Sequence, residues 1–179
     1  MITPISALLD RVALESLVIR NYESKDLQEC RALWKQLTEW HREIYDDPTI
    51  GGEHPEHYFD RHLETVGADQ LWVAEQSSRV VGLVGLIVRG DEAEIEPLVV
   101  ATPHRGKGIG SRLIEKVIVE AGAGRIRLLT VKPVARNLKT IQLLHKHGFT
   151  NLGVIELFMD LSNRPWKAGP EMFGCEFRV

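Results

Sequence analysis

Apolar positions along this chain alternate between helical spacing and short dense runs, and the two patterns predict an alternation of helices and strands. Ile5, Leu8, Leu9 and Val12 fall at helical spacing and predict a short amphipathic helix. Residues 17–20 read as a strand. Ser24, with acidic residues in the turn after it, predicts the cap of a helix whose apolar face is Leu27, Cys30, Leu33, Trp34 and Leu37. That helix fades at Asp46, Asp47 and Pro48, and Gly51 and Gly52 continue a loop to residue 54. Pro55 opens a second helix carrying Tyr58, Leu63 and Val66. Residues 71–75 and 80–89 read as strands joined at Ser77 and Ser78, and residues 92–100, 126–131 and 154–161 as further strands. A hairpin followed by strand, helix, strand, helix, strand argues for an α/β chain with a mixed sheet covered by helices on both faces. No internal repeat or low-complexity segment interrupts it.

Composition narrows the class. At 179 residues, 44% hydrophobic and 26% charged, the chain fits one globular domain with a real core. A formal charge of -3 and no Lys/Arg block longer than a dipeptide disfavour nucleic acid as a partner. Cys30 and Cys175 are far apart in sequence, and residues 1–17 carry no signal-peptide pattern, so a reducing cytoplasm is expected. No apolar run approaches the roughly 20 residues that cross a bilayer, so no membrane partner is expected.

The chemistry concentrates in one stretch. Arg105, Gly106, Lys107, Gly108, Ile109, Gly110 and Ser111 follow an apolar run directly and precede a helical one, residues 111–121. Strand, glycine turn and helix start line up backbone N–H groups on one anion, and glycines let phosphates approach closely. A P-loop needs a glycine five residues before Gly106 and a Ser/Thr after Lys107; Ala101 and Gly108 stand there. The dinucleotide fingerprint needs two residues between its last two glycines, and Gly106, Gly108 and Gly110 are evenly spaced.

The stretch instead resembles the acyl-CoA-binding motif of the GNAT superfamily of N-acetyltransferases, Arg/Gln-x-x-Gly-x-Gly/Ala, matched by Arg105, Gly108 and Gly110. Residues 94–117 are similar to that family's fourth strand, turn and third helix. Residues 126–149 resemble its fifth strand, the next helix and a closing Gly-Phe, with Asn137 at the helix opening. The resemblance covers residues 17–161 as the acetyltransferase domain, leaving an extension over 1–16 and a tail over 162–179. It implies a mixed, mostly antiparallel twisted sheet of about six to seven strands with a splayed central pair, flanked by helices on both faces. It also implies acetyl-CoA as co-substrate, bound through Leu98, Val99, Val100, residues 105–111 and Asn137, with the Leu98 N–H meeting the acetyl oxygen.

Acetyl transfer to an amine needs a proton acceptor and an oxyanion donor. Glu94 and Glu96 are two apart on a strand and so share a face in an otherwise apolar segment. Each carboxylate raises the other's pKa, and apolar surroundings raise both, toward a useful general base. Members of the resembling family use either position; Glu96, nearer the expected thioester, is preferred. A solvated strand face with Glu92, Glu94 and Glu96 alternating outward stays open as the competing reading. Pro97 cannot donate to a ladder, which requires a bulge or an unpaired stretch there. The family's thiolate-protonating tyrosine corresponds to Leu144 here, and His145, adjacent but about 100° around the helix, is a weak substitute.

Residues 39–61 hold Glu39, Glu43, Asp46, Asp47, Glu53, Glu56 and Asp60 against Arg42 and Arg61. In the resembling fold this region is the acceptor side, so Trp40, Glu43, Tyr45, Asp47 and Tyr58 are the expected substrate wall. A cationic amine follows: polyamine, aminoglycoside-like sugar or peptide amine. The charges read equally well as a solvated helix face. His54, His57 and His62 fit no standard zinc spacing, and no metal is expected. Trp166, Phe173 and Phe177 predict a tail that packs on the domain or across a homodimer. A catalytically silent acyl-CoA sensor on the same fold is the alternative to an enzyme.

Overall fold

The computed structural model describes residues 16–162 and 165–179, and the helix expected from Ile5, Leu8, Leu9 and Val12 lies outside them. Described residues up to Lys132 form one compact unit and those from Pro133 a second.

The first unit is built on a five-stranded sheet in the order β1-β2-β3-β4-β5. Its strands are β1 (Val18–Asn21), β2 (Leu71–Gln76), β3 (Arg79–Arg89), β4 (Glu92–Val100) and β5 (Leu128–Val131). Pairing is antiparallel except between β4 and β5, which run parallel. Ser77 and Ser78 both hold positive φ, 50° and 60°, which fits the twist of a two-residue hairpin turn.

Helices α1 (Leu27–Tyr45), α2 (Tyr58–Val66) and α3 (Ile109–Ala123) cover the sheet. Successive residues of β3 show the two faces. A Cβ on Gly82 would meet Leu113 of α3 at 3.0 Å, whereas Leu83 joins Cys30, Leu33 and Phe59 in the core beneath α1 and α2. Burial on both sides explains why β3 is apolar and buried from Val80 to Leu86. Phe59 anchors one core, fully buried, with Tyr22 and Trp34 each at a ring distance of 6.0 Å.

The start of α1 departs from the expected Ser24 cap. Ser24 lies in a short 3-10 turn, and Glu23 and Asp26 form a reciprocal capping box around it. Asp26 is chosen over Ser24 because it also takes both Nη atoms of Arg20, at 2.7 and 2.8 Å, while 2% exposed.

One irregularity in the sheet shapes everything downstream. Leu86 pairs with Ile95 and Val84 with Leu98, so Glu96 and Pro97 on β4 oppose the single residue Gly85. The Glu96–Pro97 peptide is cis. A Cβ on Gly85 would stand 2.6 Å from the Glu96 carbonyl oxygen and 2.6 Å from Leu71 Cδ2. Gly85→Ala is therefore expected to lower stability by about 1–3 kcal/mol through overpacking. Urea denaturation checks this, and an unchanged midpoint would show that the bulge yields.

The second unit holds α4 (Leu138–Lys146) and a two-stranded sheet of β6 (Ala168–Met172) and β7 (Cys175–Arg178). Asn137 caps α4 as expected, accepting from the Thr140 N–H at 3.1 Å. The tail is thus a hairpin turning at Phe173 and Gly174, both at positive φ. Trp166 donates to Asp160 at 2.7 Å and lies 5.1 Å from the Phe158 ring. Phe173 is 73% exposed and Phe177 half-buried. The strand expected over 154–161 is not formed. Its apolar residues fall on both faces without alternation, and no ladder partner among the described residues holds them in register.

Candidate active site

Parallel pairing of β4 with β5 ends at Ile95 and Val131, yet β4 continues to Val100 along β3. The two strands therefore part at the bulge. Antiparallel pairs alternate between exchanging both hydrogen bonds and exchanging none. Ala101 donates to Val81 at 2.9 Å, so Val99 opposite Leu83 is a bonded pair, while Leu98 and Val100 are not. Their N–H groups turn away from β3 toward the side β5 has left. Val99 turns the other way, its main chain in the ladder and its side chain 3% exposed.

β4 leads through a short turn into the glycine stretch. Gly106 and Gly108 hold φ of 76° and 81°, a region that favours glycine, and α3 starts directly afterwards. The N–H groups of Gly106, Lys107, Gly108, Ile109, Gly110 and Ser111 donate to no main-chain acceptor among the described residues; Arg112, donating to Gly108 at 3.2 Å, is the next. This is the free N–H array that an anion at a helix start requires. Lys107 is exposed beside it. Arg105 turns back, its Nε donating to the Val100 carbonyl at 3.0 Å and its guanidinium 5.7 Å from the Trp40 ring.

The two glutamates have different surroundings. Glu94 is 7% exposed, with Oε2 2.7 Å from Lys132 Nζ and 3.5 Å from Arg89 Nη1. Glu96, on the bulge, is exposed. The i, i+2 spacing carried no sign of this, because the cations come from the ends of β3 and β5.

Of the residues expected to form the acceptor wall, α1 carries Trp40, Glu43 and Tyr45, and Tyr58 opens α2. Asp47 is engaged locally, taking the Thr49 N–H at 2.9 Å. A surface cleft is lined by Gly51, Gly52, Glu53, His54, His57, Tyr58 and Arg61; of the five expected wall residues it includes Tyr58. The acidic excess is smaller than expected, since Arg31, one turn of α1 from Trp34, takes both oxygens of Asp60 at 2.9 and 2.8 Å. Arg42 is spent on the loop, donating to the carbonyls of Ile50 and Gly52.

The histidines do not form one group. His54, Glu56 and His57 bring ligand atoms within 4.8 Å of one another at the surface. His62 is 9% exposed and lies against Trp34, ring to ring at 5.0 Å. Phe59, Leu63 and Val66, at helical spacing around it, are the signal that would have turned it inward. Asn137 and His145 belong to the second unit, where Leu144 is buried and His145 exposed.

Burial holds His62 and His41 below the ordinary imidazole value of 6.5. A histidine whose folded pKa is depressed resists protonation that the unfolded chain accepts. Stability is then full above about 6.5 and falls as pH drops through the folded values. Thermal melts between pH 8 and pH 5 are expected to show falling midpoints, reduced in a His62→Phe variant.

The profile of the Acetyltransferase (GNAT) family matches residues 34–149. No curated protein matches the sequence significantly. Among solved structures, a GNAT-family acetyltransferase from Staphylococcus aureus Mu50 superposes with a TM-score of 0.64 at 17% identity, covering 83% of this chain and 95% of its own. A ribosomal-protein-alanine N-acetyltransferase from Brucella melitensis gives 0.62 at 25% identity, over 76% and 86%. An aminoglycoside N-acetyltransferase solved in complex with CoA gives 0.60 at 17% identity, over 82% and 95%. With the family profile covering more than half its length, on a fold these structures share, the chain belongs to the GNAT family of acetyltransferases.

Proposed function

We propose that this acetyltransferase moves the acetyl group of acetyl-CoA directly to a primary amine within a ternary complex. The observation that carries the reading is the parting of β4 from β5 at the bulge, with the Leu98 and Val100 N–H groups facing the gap. The gap leads on to the glycine turn at the start of α3. In this reading the N–H groups of residues 106–111 hold the pyrophosphate, with Lys107 as a mobile countercharge. The Val100 N–H takes the pantetheine arm. The Leu98 N–H donates to the acetyl oxygen and stabilises the charge that develops there, an effect worth about 3–4 kcal/mol for one well-placed donor.

Proton removal from the amine falls to Glu96, exposed at the bulge, rather than to Glu94, whose carboxylate is held by Lys132 and Arg89. Leu144 offers no acid for the departing thiolate, so solvent supplies that proton. A cationic acceptor is supported by Glu39, Glu43 and Glu53 on the exposed acceptor side. The two related structures that act on amines, one named for a ribosomal-protein alanine and one for aminoglycosides, support an amine of either kind. Free Cys30 and Cys175 support a cytoplasmic setting, and the exposed apolar side chains between Leu152 and Leu161 support a homodimer. Among the described residues no helix is long and apolar enough to cross a membrane.

The test is thiol release from acetyl-CoA by the purified protein over polyamines, aminoglycosides, amino acids and peptides. Release dependent on one amine class establishes the reading. CoA binding without release from any of them would favour the silent sensor.

A further inference from the structure

The segment that enters α2 gathers two imidazoles and a carboxylate at the surface. Pro55–His57 form one 3-10 turn ahead of α2, and the His57 N–H donates to the His54 carbonyl at 3.2 Å. A 3-10 turn repeats every three residues, so side chains at i and i+3 eclipse, and His54 and His57 fall on one side. Their ring centroids are 5.8 Å apart. Glu56, between them, places Oε1 3.5 Å from His54 Nδ1, and one ligand atom from each of the three residues lies within 4.8 Å of the others.

The main chain under this group is held independently of any ligand. Pro55 is buried and its ring sets φ. Gly51 packs so closely that a Cβ there would stand 2.6 Å from Thr38 Cγ2 and 3.3 Å from Pro55 Cβ. Arg42 holds the carbonyls of Ile50 and Gly52. The two rings, by contrast, are free to turn, with side chains 71% and 63% exposed. Glu56 is more enclosed: its Oε2 is closed off from solvent and has no hydrogen-bond partner among the described residues. Its negative charge therefore lacks part of the solvation that a surface glutamate enjoys, and a cation on Oε1 compensates for it.

We propose that His54, Glu56 and His57 bind a divalent transition-metal ion of the zinc type as a three-ligand site. Tetrahedral zinc at about 2.0–2.1 Å from each ligand sets the ligand atoms about 3.4 Å apart. The His54–Glu56 pair already has that spacing, and rotation of the exposed His57 ring closes the rest. Two imidazoles with one carboxylate suit zinc, whereas Mg²⁺ and Ca²⁺ take sets of oxygen ligands. Asp60 Oδ2, 3.7 Å from His57 Nδ1 and itself held by Arg31, supplies an outer carboxylate that orients the ring. Both histidines line the surface cleft, so the fourth position is left to water or to a small donor ligand there. Glu53 adds negative charge to the same cleft, and its cation, Arg61, stands over the Tyr58 ring at 5.3 Å. His62 takes no part, since α2 turns it onto Trp34; Glu56 is the third ligand instead. The site stands whether or not the acetyl-transfer reading holds.

Zinc sulfate titrated into the full chain, freed of any affinity tag and treated with chelator, tests the site. Calorimetry at neutral pH is expected to show one Zn²⁺ per chain, not displaced by equal Mg²⁺. His54→Ala and His57→Ala are each expected to weaken binding roughly tenfold or more, with metal-free melting midpoints unchanged because both rings are exposed. His145→Ala, at an exposed histidine of the second unit, is expected to bind as the wild type does. Absence of a saturable one-to-one site, or wild-type affinity in both His54→Ala and His57→Ala, would overturn the proposal, as would displacement by Mg²⁺. A second readout needs no variant. At substoichiometric zinc the imidazole NMR signals of His54 and His57 are expected to change together while those of His62 and His145 stay in place, and equal changes at His145 would mark non-specific binding and overturn the assignment.

Discussion

Gly108→Asp is expected to weaken CoA binding by two to three decades while the protein stays folded. Two effects act in the same direction. Gly108 holds a φ of 81° at the start of α3, and a side chain there costs about 1–2 kcal/mol of backbone strain. The larger effect is charge. A carboxylate about 5 Å from a pyrophosphate repels it by about 3 kcal/mol at an effective dielectric near 20, and each 1.4 kcal/mol is tenfold in affinity. Gly108→Ala separates the two, since it brings the strain and not the charge. Calorimetry on the wild type and both variants is expected to rank them in that order. Undiminished affinity in the Asp variant, with a native melting temperature, would remove the glycine turn from the binding site.

That turn was legible in the sequence because glycine spacing acts on the backbone locally. Positive φ at Gly106 and Gly108 and a helix start at Ile109 need no distant partner. The same holds for the Ser77–Ser78 joint and for Asn137, whose partner Thr140 is three residues on. What the sequence did not show is what distant elements bring. Lys132 reaches Glu94 across 38 positions, and Arg31 reaches Asp60 across 29. Each changes the electrostatics of a residue whose neighbours in sequence say nothing of it. The bulge falls between these cases: Pro97 announced an irregular β4, but only the ladder reveals that Gly85 is the residue opposite it. Strand 154–161 failed for the converse reason, since a strand exists only with a partner edge and an apolar run does not supply one.

The difference between the two glutamates leads to the other large expected effect. Glu96→Gln should lower turnover at least tenfold and Glu94→Gln less than threefold, with CoA affinity nearly unchanged in both; a positioned general base contributes about 10²–10⁴ in rate. Amide replaces carboxylate at almost equal volume, so packing survives. In Glu94→Gln the loss falls on stability instead, and it is small. The partner side chains Lys132 and Arg89 are 75% and 68% exposed, so water takes over most of what the carboxylate supplied and the pair is worth about 0–1 kcal/mol. A base must be unprotonated to act, so kcat/KM should fall on the acid side in the wild type. Glu96→Gln should lose or displace that limb and Glu94→Gln keep it. The reverse ranking would return the base to Glu94 and make the exposed residue on the bulge part of the acidic surface. Wild-type rates in both single variants and in the double variant would leave catalysis to the positioning of an amine that solvent has already deprotonated, with the Leu98 N–H as the chain's remaining contribution to the transition state.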